Sequence, residues 1–259
     1  MKPSVVIAPD QPRAGIVTAL RRLLPRMESV AAETRVLPFG IPELDSHLPQ
    51  GGLALGSLHE VMPETKEDAL AAFGFVTALL GRMLRKDPVL FVTSSGGLGR
   101  NARPYGHGLH QLGLDPARAI LVRTANNKQS LWTLEEALRS GVPAAVAGTL
   151  ERLDLKTSQR LQFAARESGV PLLLLRPAGI TESTVAMTRW RVRSMQAARD
   201  RFGLITRWRW RLTLERCRNG RTGEWLVEYD NAYRFSLAAA MADPALPRRT
   251  GAEGFRRAG

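Results

Sequence analysis

The sequence predicts an α/β fold: a mostly parallel, twisted sheet flanked by helices, with antiparallel strands at its C-terminal end. Two observations predict this fold class. Between residues 55 and 175, short apolar segments alternate with helical segments, as they do in parallel sheets covered on both faces. In Thr188–Met195 and Thr206–Arg216, apolar and arginine side chains alternate with a period of two, which is typical of antiparallel strands.

The first half of the predicted sheet follows an N-terminal helix. Residues 14–28 carry apolar side chains at helical spacing and arginines on another face, which predicts a helix packed on the core or offered to a partner. Leu55–Val61 is a short predicted strand. Asp68–Leu84 is a long apolar helix that ends before Pro88. Val89–Thr93 is a continuous apolar strand of the kind that parallel sheets bury on both faces.

The second half repeats the alternation of strand and helix. One helix is predicted to begin at Asn127, whose side chain can cap it, and to end at Gly141. The other predicted elements are the helices Pro104–Leu112 and Thr157–Glu167 and the strands Ala119–Val122, Ala144–Ala147 and Val170–Leu175. Four or five strands that alternate with helices predict a sheet with helices on both faces.

The pattern then changes to antiparallel strands. Thr188–Met195 and Thr206–Arg216 each carry tryptophan and aliphatic side chains on one face and arginine on the other. Asn219-Gly220 lies in the connection to Glu224–Tyr229, as a hairpin requires. The composition from Ala238 onward predicts a weakly ordered basic tail. The predicted domains are residues 1–37 (N-terminal helix and linker), 38–237 (core) and 238–259 (tail).

Composition narrows the classes of protein. The single cysteine, Cys217, excludes an internal disulfide and fits a reducing cytoplasm, and no apolar run is long enough to span a membrane. The net charge is +13, and the segment from Arg189 to Gly259 holds 16 arginines against 7 acids. An arginine-rich and tryptophan-rich C-terminal third indicates either contact with a polyanion or an acidic protein, or a well-solvated basic face.

The segment from Phe39 to Glu60 resembles the lead-in of a RecA-like, P-loop-type nucleotide-binding core. In such a core, Gly-x-x-x-x-Gly-Lys-Ser/Thr follows at once, because glycines let backbone N–H groups approach the phosphates and lysine adds positive charge. This chain has no glycine between Gly56 and Gly74. The degenerate loop instead consists of Met62, Pro63, Glu64, Thr65, Lys66, Glu67 and Asp68. The carboxylates of Glu67 and Asp68 repel phosphate, so we expect no nucleotide cofactor.

The other parts of an ATPase are missing from the sequence as well. The strand Ala144–Ala147 ends in Gly148-Thr149, and Val89–Thr93 runs into Ser94-Ser95-Gly96, with no carboxylate at either tip. The glycine-rich segment Ser94–Arg100 is either an anion-binding nest or a surface loop. The pair His107 and His110 lacks a third ligand, and Cys217 lacks a histidine partner. We therefore predict no catalytic residue and no metal site.

The arginines of the C-terminal strands are the candidate contacts with a partner or with DNA. If the tryptophan face packs on the core, the arginines face solvent, where they can contact phosphates or an acidic protein. The alternative is a solvated edge whose charge prevents association between sheets. The candidates are Arg189, Arg191, Arg193, Arg207, Arg209, Arg211, Arg218 and Arg221.

The order of several segments resembles the ImuA family, the RecA-related proteins of bacterial damage-inducible mutagenesis cassettes. The degenerate loop is followed by Pro104–Arg118, which leads into a strand at Ile120–Arg123. The end of the core runs through Trp208–Arg216, Arg218–Trp225 and Glu228–Asp230. The resemblance covers roughly residues 14 to 240. It places the lysine position of RecA at or near Asp68, the strand-tip aspartate at Gly148, and the water-activating glutamate near Ser95 or Gly96.

The resemblance implies a role in the SOS response and in translesion synthesis without a reaction of the chain's own. The implied partners are an ImuB-like Y-family polymerase relative, with RecA and an error-prone polymerase as further candidates. Three alternatives stay open: a nucleotide-binding RecA-like protein with weak or no hydrolysis, a direct DNA-binding module, and a SulA-like division inhibitor.

Overall fold

The fold is known from a computed structural model that describes residues 35–83, 87–94 and 104–238. The predicted N-terminal helix at 14–28 lies outside these residues, as does the predicted tail beyond Ala238. None of the helices in the described ranges combines the length and the apolar composition that crossing a lipid bilayer requires.

A nine-stranded sheet forms the centre of the protein, with the strand order β11-β10-β9-β8-β3-β7-β6-β4-β5. Two short strands, β1 (Val36–Leu37) and β2 (Leu53–Ala54), pair separately. The large sheet consists of β3 (Leu58–Pro63), β4 (Val89–Ser94), β5 (Ala119–Thr124), β6 (Ala145–Thr149), β7 (Leu172–Leu175), β8 (Thr188–Arg199), β9 (Ile205–Cys217), β10 (Gly223–Asp230) and β11 (Phe235–Leu237). The neighbouring strands β5-β4-β6-β7-β3-β8 of this order pair in parallel. The neighbouring strands β8-β9-β10-β11 pair antiparallel.

The short helix α1 (Pro42–Asp45) lies between β1 and β2. Four further helices connect the parallel strands from β3 to β7, namely α2 (Ala69–Met83), α3 (Gly106–Gln111), α4 (Asn127–Ser140) and α5 (Leu155–Ser168). The α4 helix is capped by Asn126, whose side chain accepts a hydrogen bond from Gln129 N at 3.0 Å, so the prediction of Asn127 as the cap was wrong by one residue. Asn127 instead binds the neighbouring loop through Arg152 O. Gly141 ends α4 in the left-handed conformation, as predicted.

Two apolar cores cover the two faces of the sheet. Along β7, Leu173 and Leu175 belong to the core beneath α2, whereas Leu172 and Leu174 belong to the core beneath α4 and α5. This alternation follows from the period of two in a strand, and burial on both faces explains why β7 is apolar throughout.

An aromatic cluster joins the parallel and antiparallel parts of the sheet. Phe75 of α2 lies with its ring centroid about 6 Å from those of Trp190, Trp210 and Phe235, on β8, β9 and β11 (6.1, 6.1 and 6.0 Å). Phe39, from the segment before α1, packs on Trp190 at 5.5 Å. All of these side chains are buried, so one continuous core supports both parts of the sheet.

The predicted fold class, a mostly parallel α/β sheet with flanking helices and antiparallel C-terminal strands, is confirmed. The largest shifts of a boundary are in β8, which ends at Arg199 rather than Met195, and in β3, which begins at Leu58 rather than Leu55. Gly56, with a φ of 70°, forms a turn that separates β3 from the short strand β2. The sequence did not predict β11, because three residues are too few to display an alternation.

Candidate functional site

Polar groups of the degenerate loop between β3 and α2 form hydrogen bonds within the protein. Thr65 and Asp68 form a reciprocal cap, in which Asp68 Oδ2 accepts from Thr65 N at 3.1 Å and from Thr65 Oγ1 at 2.9 Å. A single turn of 3₁₀ helix at Lys66–Asp68 then leads into α2. A backbone N–H within the loop is also used, because Glu64 N donates to Val192 O at 2.9 Å.

Asp68 also links this loop to the neighbouring strand β8 through hydrogen bonds. Its other carboxylate oxygen, Oδ1, accepts hydrogen bonds from Ser194 N and Ser194 Oγ, both at 2.8 Å. Burial works against ionisation of this carboxylate, but the hydrogen bonds from Ser194 and Thr65 outweigh it and lower the pKa of Asp68. A buried, ionised carboxylate therefore stands at the position where the resemblance to RecA places a phosphate-binding lysine.

The carboxyl ends of β4 and β6 carry hydroxyl groups, and close packing around β6 leaves no room for a side chain at Gly148. Ser94 N donates to Thr149 Oγ1 at 3.2 Å, which joins the ends of β4 and β6. A Cβ atom on Gly148 would lie 2.9 Å from Leu134 Cδ2 and 2.9 Å from Val92 O. An aspartate at this strand tip would therefore require the Leu134 side chain and the backbone of β4 at Val92 to shift. Of the segment Ser94–Arg100, only Ser94 is described, so the anion-nest alternative and the positions Ser95 and Gly96 lie outside the described residues.

A buried cluster of charges lies beside β3, and the sequence did not predict it. Glu60 Oε2 accepts hydrogen bonds from Thr184 Oγ1 and Arg189 Nε, both at 2.9 Å. Arg176 lies with its Nε 3.6 Å from Glu60 Oε1 and also pairs with Glu182. Burial lowers the pKa of Arg176, although the two carboxylates oppose this effect. The charges of two guanidinium groups and two carboxylates cancel in this cluster. This balance indicates that the cluster has a structural role in joining β3, β7 and β8.

The position of Arg176 in the sequence could have indicated this buried cluster. This arginine directly follows the four leucines of β7, and a charge at the end of a strand buried on both faces needs a partner. The partner, Glu60, is more than 100 residues away in the sequence, so only the strand order identifies it.

The candidate arginines alternate with tryptophan and aliphatic side chains, as predicted. Trp190 and Trp210 are buried on the α2 side, and the arginines of β8 and β9 lie on the opposite face. Arg189 is largely covered by its contacts with Glu60, and Arg209 is also mostly covered. Arg218 and Arg221 lie in the turn between β9 and β10, where Arg221 donates to Ser46 O at 3.3 Å.

Carboxylates on neighbouring strands, and Glu64 in the loop after β3, pair with five arginines of this face. Ion pairs join Arg191 to Glu215, Arg193 to Glu64 (3.4 Å), Arg207 and Arg209 to Glu228 (2.8 and 2.7 Å), and Arg211 to Glu224 (3.7 Å). Burial opposes ionisation of Glu228, but hydrogen bonds from its two arginines outweigh it and lower the pKa of Glu228. We call this ladder of paired charges on β8, β9 and β10 the arginine face.

Comparison with known proteins identifies the family. No protein-family model matches the chain. The Protein ImuA of Caulobacter vibrioides, from strain NA1000 and from strain ATCC 19089, is 36% identical to it over 230 residues, which cover 81% of this chain and 91% of that protein. The chain belongs to the ImuA family. The family that the order of the motifs indicated is therefore confirmed.

The sequence raised metal binding for His107 and His110, and nucleophile chemistry for Cys217, in this ImuA-family chain. Within the described ranges, no three His, Cys, Asp or Glu side chains are grouped so as to hold a metal ion. His107 and His110 lie on α3 without a third ligand. Burial raises the pKa of the Cys217 thiol, which is the opposite of what activates a nucleophilic cysteine.

Proposed function

We propose that this chain is a non-catalytic accessory factor of damage-induced, error-prone DNA repair that acts through protein–protein contacts in translesion synthesis. Its membership of the ImuA family is the observation that carries the proposal. The proposed partner is an ImuB-type Y-family polymerase relative, with RecA and an error-prone polymerase as further candidates.

We also propose that the core is RecA-like and has lost its ATP chemistry. The unit β3–loop–α2 has the strand–loop–helix arrangement of a phosphate loop, at the carboxyl edge of a mostly parallel sheet. Asp68 supports the loss of function, because its carboxylate occupies the lysine position and binds Thr65 and Ser194. The backbone N–H groups of Glu64 and Thr65 are likewise engaged within the protein. A phosphate would have to displace these bonds and approach a negative charge.

Titration with a fluorescent ATP analogue in the presence of Mg²⁺ tests the loss of nucleotide binding. We expect no saturable binding at micromolar concentrations, because the N–H groups of Glu64 and Thr65 are engaged within the protein and the carboxylates of Glu64, Glu67 and Asp68 outnumber the single positive charge of Lys66. The matched variant Asp68→Asn removes the charge and keeps the size of the side chain, and it reports how much of the exclusion is electrostatic. Micromolar, Mg²⁺-dependent binding by the wild-type chain would instead favour the nucleotide-binding alternative.

The accessory role is tested with the ImuB-type protein encoded in the same genome. We expect the purified full-length chain to bind it in biolayer interferometry with a Kd at or below the micromolar range, as specific protein complexes do. Damage-induced mutagenesis should fall when the gene of this chain is deleted and return when it is supplied. Filamentation on overproduction in cells without the ImuB-type protein would favour a division inhibitor instead.

A further inference from the structure

The long hairpin of β8 and β9 ends in an exposed tip with two large apolar side chains. We define the hairpin tip as residues 199–204, which are the last residue of β8 and the turn that leads to β9. Phe202 is 72% exposed and Leu204 is 65% exposed. β3 pairs with β8 only as far as Val192, and β10 pairs with β9 only from Arg207 onward, so the tip projects beyond its neighbours in the sheet.

Several hydrogen bonds within the hairpin tip fix the path of its turn. Asp200 Oδ1 accepts from Phe202 N at 2.8 Å and from Leu204 N at 2.9 Å, and Asp200 N donates to Leu204 O at 2.9 Å. Arg199 Nη1 closes the turn on Gly203 O at 2.6 Å. Gly203 has a φ of 80°, which favours glycine at this position. The two apolar side chains are therefore displayed on an ordered turn, which reduces the entropy lost when they bind.

The arginines of the hairpin tip differ from those of the arginine face. Within the described part of the chain, neither Arg199 nor Arg201 forms an ion pair with a carboxylate. Arg201 instead lies over the ring of Phe202, with its Cζ 4.7 Å from the ring centroid. The acid of the tip, Asp200, is used within the turn. Positive charge and apolar surface are thus both available at the same place.

We propose that the hairpin tip is a docking element that inserts Phe202 and Leu204 into an apolar pocket, rimmed by carboxylates, on a partner protein. Aromatic side chains, phenylalanine included, and arginine are enriched at protein interfaces relative to the rest of the surface. A protein fits better than single-stranded nucleic acid, because Leu204 has no ring to stack on a base and Arg201 already covers one face of Phe202. The inference rests on the proposed function, which acts through protein contacts.

The test compares variants of the full-length chain for binding to the immobilised ImuB-type protein. We expect Phe202→Ser/Leu204→Ser to lower affinity at least about tenfold. Arg201→Glu should lower it about threefold or more at low salt and less at high salt, because it reverses a charge at the rim. The matched control, Trp132→Ser/Phe163→Ser, alters side chains that are 66% and 61% exposed on α4 and α5 and should bind like the wild type.

The outcomes separate the inference from the proposed function. Each variant should unfold at the wild-type temperature, because the altered side chains are exposed. If the wild-type chain binds and the hairpin variant binds equally well, the inference is overturned while the proposed function stands. If the wild-type chain does not bind at all, the proposed function fails and the inference fails with it. Loss of self-association in sedimentation, or of binding to an oligo-dT strand, confined to the hairpin variant would overturn the assignment to a partner protein.

Discussion

At the scale of single residues, the buried histidine of β3 has a defined protonation state. His59 Nε2 donates to Ala54 O at 2.8 Å, so its Nδ1 accepts from the hydroxyl of Thr188, also at 2.8 Å. Trp190 Nε1 donates in turn to Thr188 Oγ1 at 2.9 Å. The chain of bonds is complete only when the imidazole is neutral. Burial lowers the pKa of His59 to about 4, an effect that the bond to Ala54 partly opposes.

The low pKa of His59 predicts a loss of stability at mildly acidic pH. Because the pKa is about 4 in the folded chain and near 6.5 in the unfolded chain, the stabilisation is complete above pH 6.5 and falls as the pH approaches 4. Between pH 7 and pH 5, the free energy of unfolding should drop by about 2 kcal/mol through this residue. Urea unfolding of the wild type and of His59→Gln measures the drop, which should be smaller in the variant. An identical pH dependence in both proteins would contradict the assignment.

At the scale of elements, each predicted alternation became a strand, but the charge pairs across strands could not be predicted. The period of two in β8 and β9 already indicated that Trp190 and Trp210 face the core. The neutralisation of Arg207 and Arg209 depends on the register that sets Glu228 opposite Arg209. Register follows from turn geometry and packing, and single-strand patterns do not contain it. A row of arginines in sequence is therefore weak evidence for a basic surface.

Removal of the Glu228 carboxylate from the arginine face should increase binding to nucleic acid. Glu228 is the shared partner of Arg207 and Arg209, so Glu228→Gln should leave the exposed guanidinium group of Arg207 available to phosphates. We expect the variant to bind a single-stranded oligonucleotide at least about threefold more tightly than the wild type at about 50 mM salt, with a steeper salt dependence. Fluorescence anisotropy measures both quantities.

A matched set of variants separates this prediction from the direct DNA-binding alternative. Arg207→Ala/Arg209→Ala/Arg211→Ala should change oligonucleotide binding little if the wild-type arginines are already satisfied by acids. Strong, salt-dependent binding by the wild type that this triple variant abolishes would instead favour the DNA-binding module.

At the scale of the whole molecule, the positive charge is spread unevenly along the chain. The described residues contain 24 arginines and lysines and 19 acids, so they carry +5 of the net charge of +13. Each paired arginine of the arginine face contacts a carboxylate, with Glu228 shared by Arg207 and Arg209. The arginines of the hairpin tip, which form no ion pair among the described residues, stand out against this nearly balanced core. Electrostatic attraction by this part of the protein is therefore local, which favours a specific contact over a general affinity for polyanions.

The continuous core predicts that the parallel and antiparallel parts of the sheet unfold together. Phe235 of β11, at one edge of the sheet, packs with its ring centroid 6.0 Å from that of Phe75 of α2 and 5.5 Å from that of Phe39. Phe235→Ala should lower the free energy of unfolding by about 3–5 kcal/mol, because it opens a cavity within this cluster. Phe163→Ala is the control, since an exposed ring on α5 should cost less than about 0.5 kcal/mol.

Two probes decide whether this unfolding is cooperative. Tryptophan fluorescence reports mainly on the antiparallel strands, which hold Trp190, Trp208, Trp210 and Trp225, whereas far-UV circular dichroism reports mainly on the helices around the parallel strands. Because Phe75 contacts both parts, the two transitions should coincide in the wild type and should shift by the same amount in Phe235→Ala. If fluorescence changed at a lower denaturant concentration than circular dichroism, the antiparallel strands would form a separate unit. The hairpin tip would then be carried by a part of the sheet that opens independently, and its preorganisation for a partner would be lost.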